Sequence, residues 1–370
     1  MSHIDAQVHG GVGCITLNRP QALNALSLSM IRDLTTVLLA WRSDPAVQAV
    51  ALRGMGKQGP FGAFCAGGDI RFFHEAAWSG DPRLEDFFTE EYRLNHLIHR
   101  YPKPTVAFMD GIVMGGGMGL AQGCRLRLAT PRTKMAMPET LIGLFPDVGG
   151  GYFLARCPGH VGEYLGLTGE HLNGHQAVQA GLADAVVDAL HLDALWAQLP
   201  ERLLSTPGDS LAVQALRWPE AVSDPAPKPW PDDLAFAFAA PDLATGVARL
   251  QQRAEQGSAW AAHQLQALGK RSPLMLHVTW AQIRKARGMA LADELRMERD
   301  LVRHCFHPHH LSRPPTQSDT VEGIRALAVD KDHAPRWMHA SLEAVTPAEV
   351  DGFFQSPWPA HAHPLQHLKD

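Results

Sequence analysis

Residues 136–151 read Ala136-Met-Pro-Glu-Thr-Leu-Ile-Gly-Leu-Phe-Pro-Asp-Val-Gly-Gly-Gly151, and they place two carboxylates, Glu139 and Asp147, among glycines and prolines instead of in an amphipathic pattern. Upstream lies Met114-Gly-Gly-Gly-Met-Gly-Leu120, a run with almost no side chains to pack, which lets backbone N–H groups approach a ligand closely. A second glycine loop, Phe64-Cys-Ala-Gly-Gly-Asp-Ile70, reads either as a nest of N–H groups aimed at an oxyanion or as a tight turn with Asp69 capping the next helix. Two donor loops with a carboxylate pair are the equipment of an acyl-transfer or enolate site. Each carboxylate also has a plain structural reading. Glu139 follows Pro138 and suits the acidic first turn of a helix, while Asp147 suits the N-cap of a helix over 148–154. Glu91, within Glu90-Glu91-Tyr92-Arg93, reads as a solvated helix carboxylate.

Outward from these loops the pattern is α/β. A hairpin is predicted over residues 6–17 with its turn at Gly10-Gly11, then a helix over 28–41 capped by Ser27 and a buried strand over 47–52. Helix 84–100, strand 105–109, the glycine turn, a short helix from about Gly116 and a strand over 125–129 follow. Strand, loop, helix and strand in series put ligand loops at strand ends. Three blocks are expected: a core over 1–204, an extended Pro-rich connector over 205–232, and a mainly helical region over 233–370. The last block holds helices over 273–283, 291–305 and 346–354, and a loose tail around His361-Ala-His363.

Composition narrows the function. The chain has 370 residues, 45% hydrophobic and 19% charged, enough for a large core plus an appendage and inconsistent with disorder. A net charge of −5 gives no general attraction for nucleic acid or an anionic membrane. Five cysteines without CxxC spacing argue against a disulfide framework or structural zinc, and the first residues lack a targeting pattern, so a cytoplasmic location is expected. His304, His307, His309 and His310 lack the spacing of a metal site, and no metal is expected. Neither a Gly-x-Ser-x-Gly elbow nor a P-loop is present.

Read together, Asn18-Arg-Pro-Gln-Ala-Leu-Asn-Ala-Leu26, Phe64-Cys-Ala-Gly-Gly-Asp69, Asp110-Gly-Ile-Val-Met-Gly-Gly-Gly117 and Met137-Pro-Glu139 resemble, in order and spacing, the crotonase (enoyl-CoA hydratase/isomerase) superfamily. The resemblance implies a spiral of ββα units, a coenzyme A thioester as substrate with no further cofactor, and an oxyanion hole from the N–H groups of Ala66 and Gly116. A hydratase of this superfamily uses two glutamates, one matching Glu139 and one at the position of Gly119, which has no side chain. Conversely, Asp147 stands where the hydratases have glycine. That exchange is similar to the branch that hydrolyses short 3-hydroxyacyl-CoA thioesters, and it implies Glu139 as general base or nucleophile, Asp147 as the partner carboxylate, and Glu91 on the substrate hydroxyl. The similarity extends through Val321-Glu-Gly-Ile-Arg-Ala326 and Asp330-Lys-Asp-His-Ala-Pro-Arg-Trp337, although Thr320 replaces the usual aromatic residue. No nucleic-acid or membrane partner is implied, and a homo-oligomer remains open.

Overall fold

In the first of two compact units, strands follow hydrophobic runs and helices follow capped amphipathic segments. The computed structural model describes residues 3–204, 211–222 and 228–370. The first unit joins Met1–Gly68, Glu90–Ala136 and His171–Pro227; the second joins Asp69–Thr89, Met137–Glu170 and Lys228–Asp370. Both are discontinuous along the chain, whereas the three sequence blocks follow changes of texture in chain order. The expected connector over 205–232 lies partly outside the described residues. Its described part is not simply extended: the helix Leu211–Ala215 buries Leu211 and Ala215 in the sheet's core, and Ala221 bridges to Val187.

The first unit is built on strands β1 (Ile4–His9), β2 (Val12–Leu17), β3 (Ala49–Gly56), β4 (Gly59–Pro60), β5 (Thr105–Met109), β6 (Ile112–Met114), β7 (Leu126–Ala129), β8 (Lys134–Ala136) and β9 (Ala185–Val186). The main sheet runs β1-β2-β3-β5-β7-β9 with β4 on β3, and β6 and β8 form a separate parallel pair. The β1–β2 hairpin is antiparallel, pairing Ile4 with Leu17, and turns through Gly10 and Gly11 at φ 52° and 86°. Every later ladder along the main path is parallel. Val12, Ala51, Val106, Phe108, Leu126 and Leu128 make its buried core, as expected where both faces are covered. Ser27 accepts from the Met30 N–H at 3.3 Å and opens the helix Leu28–Ser43.

Asn24 secures the loop that precedes this helix. Fully buried at φ 57°, it accepts from the Arg19 N–H at 2.8 Å and donates to the carbonyls of Met55, Ala63 and Phe64 at 2.9, 3.0 and 3.1 Å. One side chain thus ties the Asn18–Leu26 motif to the strand end and to the second glycine loop.

The second unit is helical. Its longer members include Ile70–Ser79, Leu243–Glu255, Ala259–Leu268, Pro273–Ala286 and Leu291–Phe306. Ser272 accepts from the Met275 N–H at 3.2 Å and caps the helix that Pro273 opens, as its sequence predicts. Thr346 and Glu349 form a reciprocal capping box on Pro347–Phe353. The tail departs from the looseness expected of it. His363 is buried, and the Asp370 carboxylate accepts from the Ala292 N–H at 3.1 Å. Arg296 also donates to the carbonyls of Leu365 and Leu368. Among the described residues no helix is long and apolar enough to cross a membrane.

Replacing Asn24 with Ala leaves three inward carbonyls without their donor and keeps an unfavourable positive φ. Its expected cost is about 2–4 kcal/mol, read as a lower urea midpoint.

Candidate active site

In the first unit, two glycine loops run against each other. The Cys65 N–H donates to the Ile112 carbonyl and the Met114 N–H to the Cys65 carbonyl, both at 3.0 Å. This close pairing excludes side chains: a Cβ on Gly117 would lie 2.4 Å from the Cys65 carbonyl oxygen. Gly67, at φ 102°, and Gly115, at φ 48°, make the turns that follow and precede these contacts.

The structure corrects one donor. The Ala66 N–H is already bonded to the Leu23 carbonyl at 3.0 Å, within the strut anchored by Asn24. Two residues on, the Gly68 N–H has no acceptor among the described residues. Nor has the Gly116 N–H at the first position of the helix Gly116–Gln122. Gly68 and Gly116 therefore carry the available donors, and sequence spacing alone could not show which amide of the Ala66-Gly-Gly68 turn was already bonded.

Glu91 is not the solvated carboxylate of a helix surface. It lies on the inward face of the helix Arg83–His99 with Leu84, Phe87, Asn95 and Ile98, and is 2% exposed. A Cβ on Gly116 would come within 2.6 Å of its Oε1, so Glu91 and the Gly116 donor share one place. Burial, reinforced by the Glu91 charge, pushes the neighbouring Cys65 thiol up to about 12 and keeps it a poor nucleophile.

In the second unit, Glu139 opens the short 3-10 turn Glu139–Ile142 behind Pro138. Its side chain is 6% exposed, and Oε2 has no hydrogen-bond partner among the described residues. Burial and the Asp147 charge raise its pKa well above the usual carboxylate range. The turn is braced from several sides. Thr140 Oγ1 donates to the Leu167 carbonyl at 3.0 Å, and Thr320 Oγ1 donates to the Gly143 carbonyl at 2.6 Å. A Cβ on Gly323 would strike Ile142, so the helix Asp319–Ile324 sits directly on the Glu139 turn. Thr320 thereby supports the site through its hydroxyl.

Asp147 is not the helix cap that its sequence also permits. The next helix is Gly150–Leu154; Gly149 occupies its cap position, and no side chain bonds there. Between them Val148 adopts φ 60° and Gly149 φ 86°. A positive φ at a β-branched residue costs on the order of 1–3 kcal/mol and persists only where surrounding contacts impose it.

Those contacts come from residues that the motif reading did not single out. Glu298 Oε2 accepts from the Gly149 N–H at 2.7 Å and Oε1 from the Gly151 N–H at 3.1 Å. Gln282 Nε2 donates to the Pro146 carbonyl at 2.7 Å and to Glu298 Oε1 at 3.1 Å. Glu294, one turn before Glu298, is also fully buried. The available signal was placement: Glu294 and Glu298 fall on the same helix face as Leu291, Leu295, Val302 and Cys305, where apolar residues belong. Burial raises the pKa of both, Glu294 to about 7, and their mutual repulsion adds to the cost of ionising the pair.

The histidine segment serves packing. His304 Nε2 pairs with the Gln355 carbonyl at 2.7 Å, and its ring lies 4.3 Å from that of His310 between ring centroids. No group of three or more His, Cys, Asp or Glu that could hold a metal ion occurs among the described residues.

A parallel-sheet unit presenting bare amides, with a helical unit holding buried carboxylates, matches a family of acyl-CoA enzymes. The enoyl-CoA hydratase/isomerase family model matches residues 12–354, and the chain belongs to that family. More particularly, it is 40% identical over 354 residues to the mitochondrial 3-hydroxyisobutyryl-CoA hydrolase of Gallus gallus, covering 94% of this chain and 88% of that protein. It is 38% identical to the Homo sapiens protein of the same name, with coverage of 94% and 87%. Among solved structures, a carnitinyl-CoA dehydratase from Mycobacterium thermoresistibile superposes with a TM-score of 0.85 at 34% identity, covering 100% of both chains. An enoyl-CoA hydratase from Rhodobacter sphaeroides 2.4.1 gives 0.81 at 35% identity, covering 96% of this chain and 98% of that one. The fold is the crotonase-type α/β architecture that the motifs imply.

A carboxyl whose pKa is higher in the folded than in the unfolded chain stabilises the fold below its unfolded value, and that contribution disappears as pH rises through the folded one. For Glu294 the window runs from its ordinary value of 4.5 to about 7. Glu294→Gln is therefore expected to flatten the fall in urea midpoint between about pH 5 and about pH 8; an unaltered slope would show that this carboxyl does not titrate there.

Proposed function

We propose that this protein is an acyl-CoA thioester hydrolase that cleaves 3-hydroxyisobutyryl-CoA to 3-hydroxyisobutyrate and free coenzyme A. The observation that carries the reading is the exchange of carboxylates. Gly119 lies inside the helix Gly116–Gln122 with no side chain to move a proton, while Asp147 is buried in a strained loop and acts electrostatically on Glu139. The hydrolase names of the curated relatives support the same reading.

In this mechanism the thioester oxygen accepts hydrogen bonds from the Gly68 and Gly116 amides, each well-aimed donor being worth about 3 kcal/mol as charge develops on that oxygen. Glu91, beside Gly116, accepts from the substrate's 3-hydroxyl and so discriminates against acyl groups lacking it. Glu139 either removes a proton from the attacking water or attacks the carbonyl itself to give a mixed anhydride that water then opens. In both routes the C–S bond breaks, the thiolate takes up a proton, and water supplies the new carboxylate oxygen. The raised pKa of Glu139 strengthens it as a base. Asp147 orients the water and relays the proton. We further propose a cytoplasmic location, supported by five cysteines without disulfide spacing, and a role in valine breakdown, supported by the proposed substrate.

A hydratase is the second reading, favoured by the names of the superposed structures. The two are separated by supplying 3-hydroxyisobutyryl-CoA, 3-hydroxypropionyl-CoA and crotonyl-CoA and following thiol release beside loss of the conjugated absorbance. Thiol from the hydroxyacyl substrates is expected; absorbance loss without thiol would sink the hydrolase reading. Glu139→Gln should lower turnover by about 10²–10⁴-fold with acyl-CoA binding retained. Because the ionised Glu139 is the working form and its pKa is raised, kcat/KM should climb with pH through a midpoint well above the usual carboxylate range. A profile already flat from about pH 5 upward would remove Glu139 from that role.

A further inference from the structure

The backbone around Asp147 is gripped on its two sides by two side chains that bond each other. On one side Gln282 Nε2 holds the Pro146 carbonyl at 2.7 Å; on the other Glu298 holds the Gly149 and Gly151 amides at 2.7 and 3.1 Å. Gln282 and Glu298 are themselves joined at 3.1 Å, which closes a bracket around the Asp147-Val148 segment. Within it Val148 sits at φ 60°, where a valine does not rest unaided, and its side chain is buried. The glycines leave room for the bracket: a Cβ on Gly151 would meet Glu294 Oε1 at 2.3 Å and Gln282 Nε2 at 3.0 Å. A bracket of backbone bonds around a strained segment sets the direction in which the enclosed side chain points.

We infer that Glu298 and Gln282 are positioning residues for the hydrolysis, which hold the strained Asp147-Val148-Gly149 backbone so that the Asp147 carboxylate is presented to its reaction. Neither touches substrate; both act through Asp147. The inference rests on the hydrolase reading and on the part that reading gives Asp147. A fully buried Glu298 whose pKa is raised by burial and by Glu294 works against stability, so the protein retains a costly group where an apolar residue would pack more favourably. Its two amide contacts explain why it is a carboxylate: a Gln there keeps one acceptor oxygen and turns an NH₂ toward a second N–H.

The test is steady-state thiol release from 3-hydroxyisobutyryl-CoA by the unsubstituted protein, Glu298→Gln, Asp147→Asn and the double variant, with Gln282→Met as an independent probe of the bracket. Glu298→Gln is expected to lose about 10- to 100-fold in kcat with KM changed less than about twofold, the loss that a misplaced group of this kind brings. Acting through Asp147, it should add nothing in the double variant, which should turn over no more slowly than Asp147→Asn alone. Gln282→Met should lower kcat in the same direction. Hydrogen exchange of the Gly149 and Gly151 amides, read without any activity, should accelerate in Glu298→Gln. Full kcat in Glu298→Gln, exchange unchanged at both amides, or losses that multiply in the double variant would each overturn the bracket while leaving the hydrolase reading intact. No thiol from the unsubstituted protein would instead overturn the hydrolase reading, and the inference with it.

Discussion

Burying a carboxylate away from water is the constraint on which this molecule's second unit depends. Ordinary structural acids meet it by pairing. Glu163 is 1% exposed and is joined by Arg287, and Asp110 in the first unit is held by Arg132 at 2.6 Å, Thr130 at 2.6 Å and the Gly62 N–H at 2.6 Å. Neither Glu139 nor Glu294 has a salt-bridge partner among the described residues, and both have raised pKa values. A buried acid left without a cation is poised to exchange a proton, which structural pairing would prevent. The braces on the Glu139 turn, from Thr140, Thr320 and the helix Asp319–Ile324, hold this unfavourable group in place.

The first unit solves a complementary problem. It must expose amide donors without opening the hydrogen bonds of its helices and strands to competition from water. Glycine does this twice: Gly117 lets one loop lie against the Cys65 carbonyl, and Gly67 turns the other so that the Gly68 N–H has no acceptor among the described residues. Asn24 carries the burden of fixing that geometry through four bonds from one side chain. The motif residues farthest from any chemistry are thus the ones that hold the donors still.

Kinship with both hydratases and hydrolases follows from this division. The amide donors serve any reaction that builds charge on a thioester oxygen, so a shared fold and a shared first unit do not choose among outcomes. The choice lies with the carboxylates. Under the proposed mechanism, having no carboxylate at Gly119 and one at Asp147 changes which protons can be moved.

The order of four motifs made the family and the α/β architecture legible and marked Glu139 and Gly116 as candidates, while Asp147 was a candidate from its place among glycines and prolines. The helices predicted over 273–283 and 291–305 form as Pro273–Ala286 and Leu291–Phe306, the first marked in the sequence by its Ser272-Pro273 cap. Three things were not legible. Which amide of the Ala66-Gly-Gly68 turn remains available depends on a bond to Leu23, and Glu91 looks solvated until its helix is packed. The bracket of Gln282 and Glu298 joins residues more than a hundred positions from the loop they hold. Sequence by itself determined the chemistry available, since residue types and short spacings carry it. Only the tertiary structure decided which polar groups are already bonded and which are buried without a partner, because hydrogen bonds and burial are made by segments that the chain order keeps apart.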